Sequence, residues 1–377
     1  MIRKVGKVIV ITVYVTHIIF ICMLLLAAYS TYISPVNHPV LSCMGLTFPI
    51  FLLINVLFLT FWLIVKHYRM AILTFIALLA CYPQTSIYLP FNFRRDQPSP
   101  NAIRFLSYNV MGFDGCEKNE LGENSILNYL KDSEAGIICL QEYATGWDKH
   151  QHIMQQDIDE ALKDYPYHHI DRLGSGPNKH NRMAIYSKYP ILKACPIAYE
   201  SAYNGSVRYD LLIGEDTVAV INNHLESNKL TKEDKVVYNE MLRNPEKNTV
   251  KRGLRQLIGK LAEASAIRAV QADTIARLIA GLQAGKMPVI VCGDFNDTPV
   301  SYTRRVIGKG LEDAFEESGQ GLGISYNQNH FYFRIDHILV SPQMKATQCV
   351  VDRQIRQSDH YPISCYIDFK GDSPSLP

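Results

Sequence analysis

Pro288–Ser301 reads PVIVCGDFNDTPVS, and the rest of the chain is interpreted outward from it. Val289-Ile290-Val291-Cys292 is an apolar, β-branched run that predicts a buried strand, and Gly293 ends it. Asp294 and Asn296 follow two positions apart, so in extended backbone both side chains leave the same face, at a strand end where loops carry function. A carboxylate beside a neutral amide suits a hard cation and a phosphate oxygen. The same residues also suit a plain Asx turn, since Gly, Asp, Asn and Pro all favour turns. The remainder of the chain has to decide between these readings.

The 377 residues carry a formal net charge of +2, which averages two unlike parts. Residues 1–95 hold seven Lys/Arg and no Asp or Glu, leaving 31 basic and 36 acidic residues beyond them, a formal −5. The second part lacks the overall basic excess expected of a protein that grips long nucleic acid by its phosphates. None of the nine cysteines forms a CxxC pair or a zinc-type spacing, and those inside apolar runs, such as Cys139, read as small buried hydrophobes.

Val8–Tyr29 and Leu46–Val65 are long enough as helices to cross a bilayer, and Asn55 in the second reads as an interhelical hydrogen-bonding residue. Met70–Leu89 is a weaker third run whose strongly apolar part stops near Cys81. The basic N-terminus and the Lys66–Arg69 cluster assign those ends to the cytoplasm, and the uncharged Ser30–Ser42 loop to the outside. Three spans then place the following domain outside the cytoplasm, and two would leave it inside; the expectation is three. The organisation read from sequence is a transmembrane anchor over residues 1–90, a Pro-rich linker over 91–102, a catalytic domain over 103–370 and a frayed tail over 371–377. No obligate protein partner is evident.

Beyond the linker, strand-like and helix-like segments alternate. Strands are expected at Ile103–Asn109, Gly136–Glu142, Met183–Ser187, Val207–Ile213, Thr217–Asn223, Val289–Cys292, Arg334–Val340, Thr347–Val351 and Ile363–Phe369, and helices at Glu123–Lys131 and His152–Lys163. Leu230–Leu282 is charged and helical in pattern, with an apolar stripe through Leu254, Leu257, Ile258 and Leu261 continued by Ile275, Leu278, Ile279 and Leu282. It fits a basic helix facing membrane or substrate, or a helix packed on the sheet with a solvated charged face; the second is expected from Ala264 onward.

Five further places repeat the opening pattern of polar residues at or beside the end of an apolar strand: Asn109, Glu142, His224, Asp336 with His337, and Asp359 with His360. Singly, each has an ordinary structural explanation. Jointly, the segments SYNVMGF (107–113), CLQEY (139–143), NRMAIYSKYPI (181–191), INNHLES (221–227), CGDFNDTP (292–299), FRIDHILVS (333–341) and SDHYPI (358–363) resemble the endonuclease/exonuclease/phosphatase superfamily, in the family's order.

The resemblance, which covers about Ile103–Phe369, implies an α/β fold, a four-layer sandwich of two mixed β-sheets flanked by helices (deoxyribonuclease I-like), with the site at one end; the α-helical transmembrane anchor read from the apolar runs stands in front of it. It implies Mg²⁺, or Mn²⁺, held by Glu142 with Asn109 and Asp359. Asp294 and Asn296 would orient nucleophile and scissile phosphate, His360 with Asp336 would form an acid/base pair, and His224 would contact the phosphate. His337 receives no role. Met183 stands where the family often has Gly, and Asn223 where it often has Thr. An inserted segment at about 229–250, beside His224, would set substrate choice.

The expectation is therefore a membrane-anchored phosphoester hydrolase acting by metal-assisted attack of water. Its substrate would be a lipid headgroup, nucleic acid or nucleotide. It would sit in the inner membrane as a multi-pass protein with a periplasmic catalytic domain. The alternatives are a DNA/RNA nuclease and a non-catalytic scaffold of the same fold.

Overall fold

The computed structural model describes residues 2–93, 96–173, 182–201, 203–228, 234, 236, 240, 243, 247–328 and 332–370. Most of the expected insertion at 229–250 and the tail at 371–377 lie outside the described residues.

Twelve strands form two six-stranded sheets. They are β1 (Ile103–Asn109), β2 (Ile137–Tyr143), β3 (Tyr167–Arg172), β4 (Arg182–Ser187), β5 (Ile191–Pro196), β6 (Gly205–Ile213), β7 (Asp216–His224), β8 (Val289–Asp294), β9 (Glu312–Asp313), β10 (Asp336–Val340), β11 (Met344–Val351) and β12 (Ile363–Phe369). One sheet runs β11-β12-β1-β2-β4-β3 and the other β5-β6-β7-β8-β10-β9. Among the described residues only β1 with β2 and β7 with β8 pair in parallel, so both sheets are mixed.

The sheets face each other across a core that includes Phe105, Cys139, Ile185, Tyr209, Val220, Cys292, Ile338 and Cys365, all essentially inaccessible. Helices Ser125–Asp132 and Gln155–Ala161 cover the outer face of the first sheet, and the long helix Lys247–Ala284 covers the second through Ile275, Ile279 and Leu282. These are the four layers expected. Met183 is buried between the sheets. Asn223 accepts a hydrogen bond from Ser206 Oγ at 2.6 Å and donates to the Cys292 carbonyl at 2.9 Å. The nine cysteines are unpaired.

The sequence reading differs from the structure in definable places. β3 and β5 lie at sheet edges with exposed or half-exposed faces, and β9 has two residues, so none offers a buried apolar run. The helix expected from His152 begins at Gln155, because His152 bridges Glu117 and Asp157 caps the Met154 amide at 2.7 Å. The third apolar run divides into Tyr68–Ala80 and Tyr82–Tyr88, bent by 61°. Pro83, which cannot donate a backbone hydrogen bond to the preceding turn, stands at the break.

Two N-terminal helices are apolar and long enough to cross a membrane, over Val10–Tyr32 and Pro39–Ile64, and the bent pair makes a third if counted as one span. Polar contacts tie all three runs together. Buried His17 accepts from Trp62 Nε1 at 2.8 Å and lies 3.3 Å from Thr74 Oγ1, while Asn55 donates to the Phe20 carbonyl at 3.1 Å. A cluster of Leu24, Ala27, Phe48, Cys81 and Tyr88 closes around Val300 of the sandwich.

The contact with the sandwich involves two separate parts of the helical region. From the loop between the first two runs, the Thr31 carbonyl accepts from Arg305 Nε at 2.8 Å, and Ser42 Oγ lies 3.4 Å from Ser265 Oγ. Gly45 packs so closely that a Cβ there would stand 2.1 Å from the Val300 carbonyl oxygen. From the end of the third run, Ser86 Oγ donates to Glu316 Oε1 at 3.0 Å, and the Ile87 carbonyl accepts from Arg334.

One residue is dictated by the joint between β7 and β8. Gly293 has φ +117°, and a Cβ on it would lie 2.0 Å from the Asn223 carbonyl oxygen. Gly293→Ala should therefore destabilise the purified full-length protein by roughly 3 kcal/mol or more. Gly281→Ala, in a helix with open space around it, should stabilise by about 0.5–1 kcal/mol. Denaturant midpoints of both variants in one detergent check the pair, and equal midpoints would contradict the assigned strain.

Candidate active site

Strand pairing collects the expected residues at one end of the sandwich. In the second sheet, His224 of β7 pairs with Asp294 of β8, which pairs with Asp336 of β10, so three polar groups stand abreast on neighbouring strands. In the first sheet, Asn109 ends β1 opposite Gln141 of β2, and Glu142 comes next. Glu142 and Asn296 both adopt left-handed backbone, at φ +53° and +51°. Strain of that kind at non-glycine residues is concentrated at functional sites.

Asp294 is the meeting point. It is 1% exposed. Its Oδ2 accepts from Asn109 Nδ2 at 3.2 Å and Asn296 Nδ2 at 3.2 Å, and its Oδ1 accepts from the Asn296 amide at 2.8 Å. Nε2 of His224 and of His360 stand 3.8 and 3.6 Å from Asp294 Oδ2. Asn109 Nδ2 also donates to Glu142 Oε1 at 3.0 Å, which joins the two sheets through one amide. His224 Nε2 is 3.5 Å from that same Glu142 oxygen. His360 Nδ1 is 2.8 Å from Asp336 Oδ2. Asp359 is half-buried beside His360.

Burial pushes the Asp294 carboxyl up to about 6, against the pull of His360; Asp336 adds to the rise, and His224 and the Asn296 amide oppose it. For His360 burial alone would lower the imidazole, but the carboxylates of Asp336 and Asp294 hold it well above its ordinary value. The result is a protonated imidazole at neutral pH, facing a carboxylate from each ring nitrogen. Asp359 is raised, first by burial; His360 lowers it and the charge of Glu142 raises it further.

Two groupings fit a cation. Ligand atoms of Asp294, Asp336 and His360 lie within 4.8 Å of one another. A protonated His360 has no lone pair to give, however: its Nδ1 proton is engaged by Asp336, and its Nε2 stands 3.6 Å from Asp294, beyond a hydrogen bond. Glu142 is the better donor: its side chain is 38% exposed, and the charge of Asp359 lies near enough to feel it. Two hard oxygen donors, one of them well exposed, suit a hard divalent cation that keeps several waters. Asn109 turns its NH₂ toward Glu142 and Asp294 while its Oδ1 accepts from the Met111 amide at 3.1 Å. In that orientation it positions the carboxylates rather than presenting an oxygen to a metal.

All eight expected residues thus converge, and supporting groups join them that sequence did not single out. Ser358 Oγ donates to the Asn109 carbonyl at 2.7 Å and accepts from the His360 amide at 3.1 Å. Ser325 Oγ accepts from the Ile335 and Asp336 amides at 3.0 and 3.1 Å. Arg268, buried in the long helix, donates from Nη1 to the Glu226 carbonyl at 2.8 Å and to Asn228 Oδ1 at 2.9 Å, and its Nε lies 3.6 Å from Asp297 Oδ2. Ser358 lay inside the SDHYPI segment, and Arg268 was visible as a basic residue of the helix. Ser325 carried no sequence signal.

The profile of the Endonuclease/Exonuclease/phosphatase family matches residues 106–360, and that of a domain of unknown function matches residues 8–88. No curated protein matches. Similar solved structures include truncated TDP2 from Caenorhabditis elegans, at 18% identity over 71% of this chain and 97% of that one, with TM-score 0.47. The catalytic domain of human nocturnin with bound sulfate is 16% identical over 74% and 97% of the two chains, with TM-score 0.48. A mannosyl-6-phosphatase from Bacteroides thetaiotaomicron is 18% identical over 71% and 100%, with TM-score 0.45.

Titration of Asp294 has a checkable sign. A carboxyl raised to about 6 from its ordinary value near 4 stabilises the fold below pH 4, and that contribution is lost as pH rises through 6, on the order of 3 kcal/mol. His337, which burial drops to about 4, has the opposite slope, but it is common to wild type and Asp294→Asn and cancels in their difference. In EDTA, the stability of Asp294→Asn relative to wild type should climb by about 3 kcal/mol between pH 4 and pH 7. A flat difference would remove the buried-carboxylate assignment.

Proposed function

The chain belongs to the endonuclease/exonuclease/phosphatase family, and on that premise we propose that it is a membrane-anchored, divalent-cation-dependent hydrolase of a phosphoester bond. The observation that carries this reading is the seam at Asp294, where two sheets deliver a carboxylate near neutrality, an open Glu142 and two imidazoles to one point. A scaffold that had abandoned chemistry would not need all eight groups gathered at one end of the sandwich.

In this reading Glu142 and Asp359 would hold Mg²⁺, or Mn²⁺, which when bound neutralises charge developing on the phosphate. The protein's own groups do the rest. Asp294, ionised above about pH 6, orients the attacking water and receives its proton. Asn296 and Asn109 fix the Asp294 carboxylate and leave it one productive orientation. His360, held protonated by Asp336, donates a hydrogen bond to a phosphate oxygen. His224 Nε2, between Glu142 and Asp294, supplies the second contact.

Asp294→Ala and His360→Ala should each lower Mg²⁺-dependent hydrolysis by roughly 10²-fold or more. The assay is a panel of sphingomyelin, phosphoinositides, nucleotides and abasic and single-stranded DNA offered to the purified full chain, with EDTA abolishing turnover. Undiminished activity in both variants on the substrate that turns over would refute the site.

The sandwich is proposed to lie outside the cytoplasm, periplasmic in a cell with two membranes. Lys66 and Arg69 assign their side of the second span to the cytoplasm, and the loop carrying Thr31, Ser42 and Gly45 is on the opposite side. The sandwich touches that loop through Arg305, Ser265 and Val300, which supports a third crossing by the bent pair. An alkaline phosphatase fused after Arg95 should be active and a green fluorescent protein there dark. The reverse pair would put the domain inside.

A further inference from the structure

The long helix Lys247–Ala284 does more than cover the second sheet. Leu261, Ser265 and Arg268 on one side of it line a small enclosed space with Ser42 and Cys43 of the loop that enters the second apolar run and with Leu46 at its start. At 3.6 residues per turn, Ile258 and Leu254 fall on that same side, one and two turns further toward the helix N-terminus. There the loop no longer covers the helix: Leu254 is 45% and Ile258 37% exposed. Lys251, Arg252 and Arg255 are exposed around them. The opposite side of this stretch is occupied, since Gln256 Nε2 donates to Asp234 Oδ1 at 2.7 Å and Lys260 pairs with Asp234.

We propose that Lys247–Leu261 lies on the bilayer beside the spans, with Leu254 and Ile258 entering the headgroup–acyl boundary and Lys251 and Arg255 binding the phosphates of anionic lipid. Two observations name a lipid surface rather than a protein. The apolar face is continuous with one already seated on the membrane-anchored loop, and it runs on for about 10 Å past that loop. Basic side chains flank apolar ones, the charge and shape of an interfacial helix. The inference rests on the outward, three-span reading above. It also links lipid contact to chemistry, because Arg268 on the same helix braces Glu226 and Asn228, which follow His224, and faces Asp297 of the active-site loop.

The test uses the full chain in vesicles of phosphatidylcholine and phosphatidylglycerol with acyl chains brominated near the headgroup. Of the two native tryptophans, Trp62 is buried among the apolar runs, and Trp147, 79% exposed on the sandwich, is the aqueous reference. Ile258→Trp, made in a Trp147→Phe background and compared with that background alone, should add fluorescence that brominated lipid lowers by about half or more and that iodide reaches several-fold less than Trp147. Leu254→Trp is the second probe should the first disturb folding. Adding Lys251→Glu with Arg255→Glu should reduce the brominated-lipid quenching at least about twofold.

If the full chain stays with the vesicles through alkaline carbonate extraction while the probes at 254 and 258 answer only to iodide, the interfacial placement is wrong and the anchor reading stands. If alkaline carbonate strips the chain from the vesicles, the anchor reading falls and takes this inference with it. Unchanged quenching in the double-charge variant overturns the anionic-lipid part.

Discussion

A single buried carboxylate constrains this fold. Asp294 is almost fully shielded and accepts from two asparagines while two imidazoles close on it. An ionised carboxylate in that position costs several kcal/mol unless paired and hydrogen-bonded. The surrounding strands answer that cost. β8 must approach β7 closely enough for His224 to reach Asp294, which only a glycine at 293 permits. β10 must run antiparallel on the other side so that Asp336 arrives abreast and charges His360. β1 must end at Asn109, whose one amide reaches across the gap between sheets.

That arrangement explains what could be read before any coordinates. Apolar runs ending in a single polar residue mark strands whose last side chain escapes the core, so Asn109, Glu142, His224 and Asp294 were legible one by one. Their convergence was legible only through the family resemblance; physically it follows from parallel pairing of β1 with β2 and of β7 with β8, which places four strand ends together. Edge strands were lost for the complementary reason. Tyr167–Arg172 alternates no buried face, and a two-residue strand such as Glu312–Asp313 has no period at all. Ser325 was invisible because its role lies in a hydroxyl accepting two amides ten and eleven residues away. The bend in the third apolar run had a local signal in Pro83, yet hydropathy sums across it.

The helical region and the sandwich share one loop. Asp297 follows Asp294 by three residues, accepts from Thr303 Oγ1 at 2.8 Å and faces Arg268; Val300, three further on, is buried among Leu24, Phe48 and Tyr88. Anything that repacks the apolar helices against Val300 therefore acts six residues from the central carboxylate. Loose tethering would have needed only the linker. A glycine at position 45 that admits the Val300 carbonyl instead marks a fitted joint, in which the apolar helices set the attitude of the loop that carries the site.

Asp336 and His337 show how local that electrostatic design is. They are consecutive in β10, so their side chains leave opposite faces of one strand. His360, reached by Asp336, keeps its proton because a carboxylate faces each ring nitrogen. His337 is equally buried, but its Nε2 meets the Asp297 carbonyl at 3.2 Å, a neutral acceptor, and burial drops it to about 4. Arg304 and Arg334 add to the drop, and Asp313 only partly opposes it. Two imidazoles at similar depth thus settle in opposite protonation states according to what their nitrogens face. The charged one points at Asp294; the neutral one braces the loop that carries Asp297. Exchanging those environments would put the proton behind the sheet and leave the central carboxylate without its cationic partner, which is why Asp336 belongs to the site although it never needs to touch a substrate.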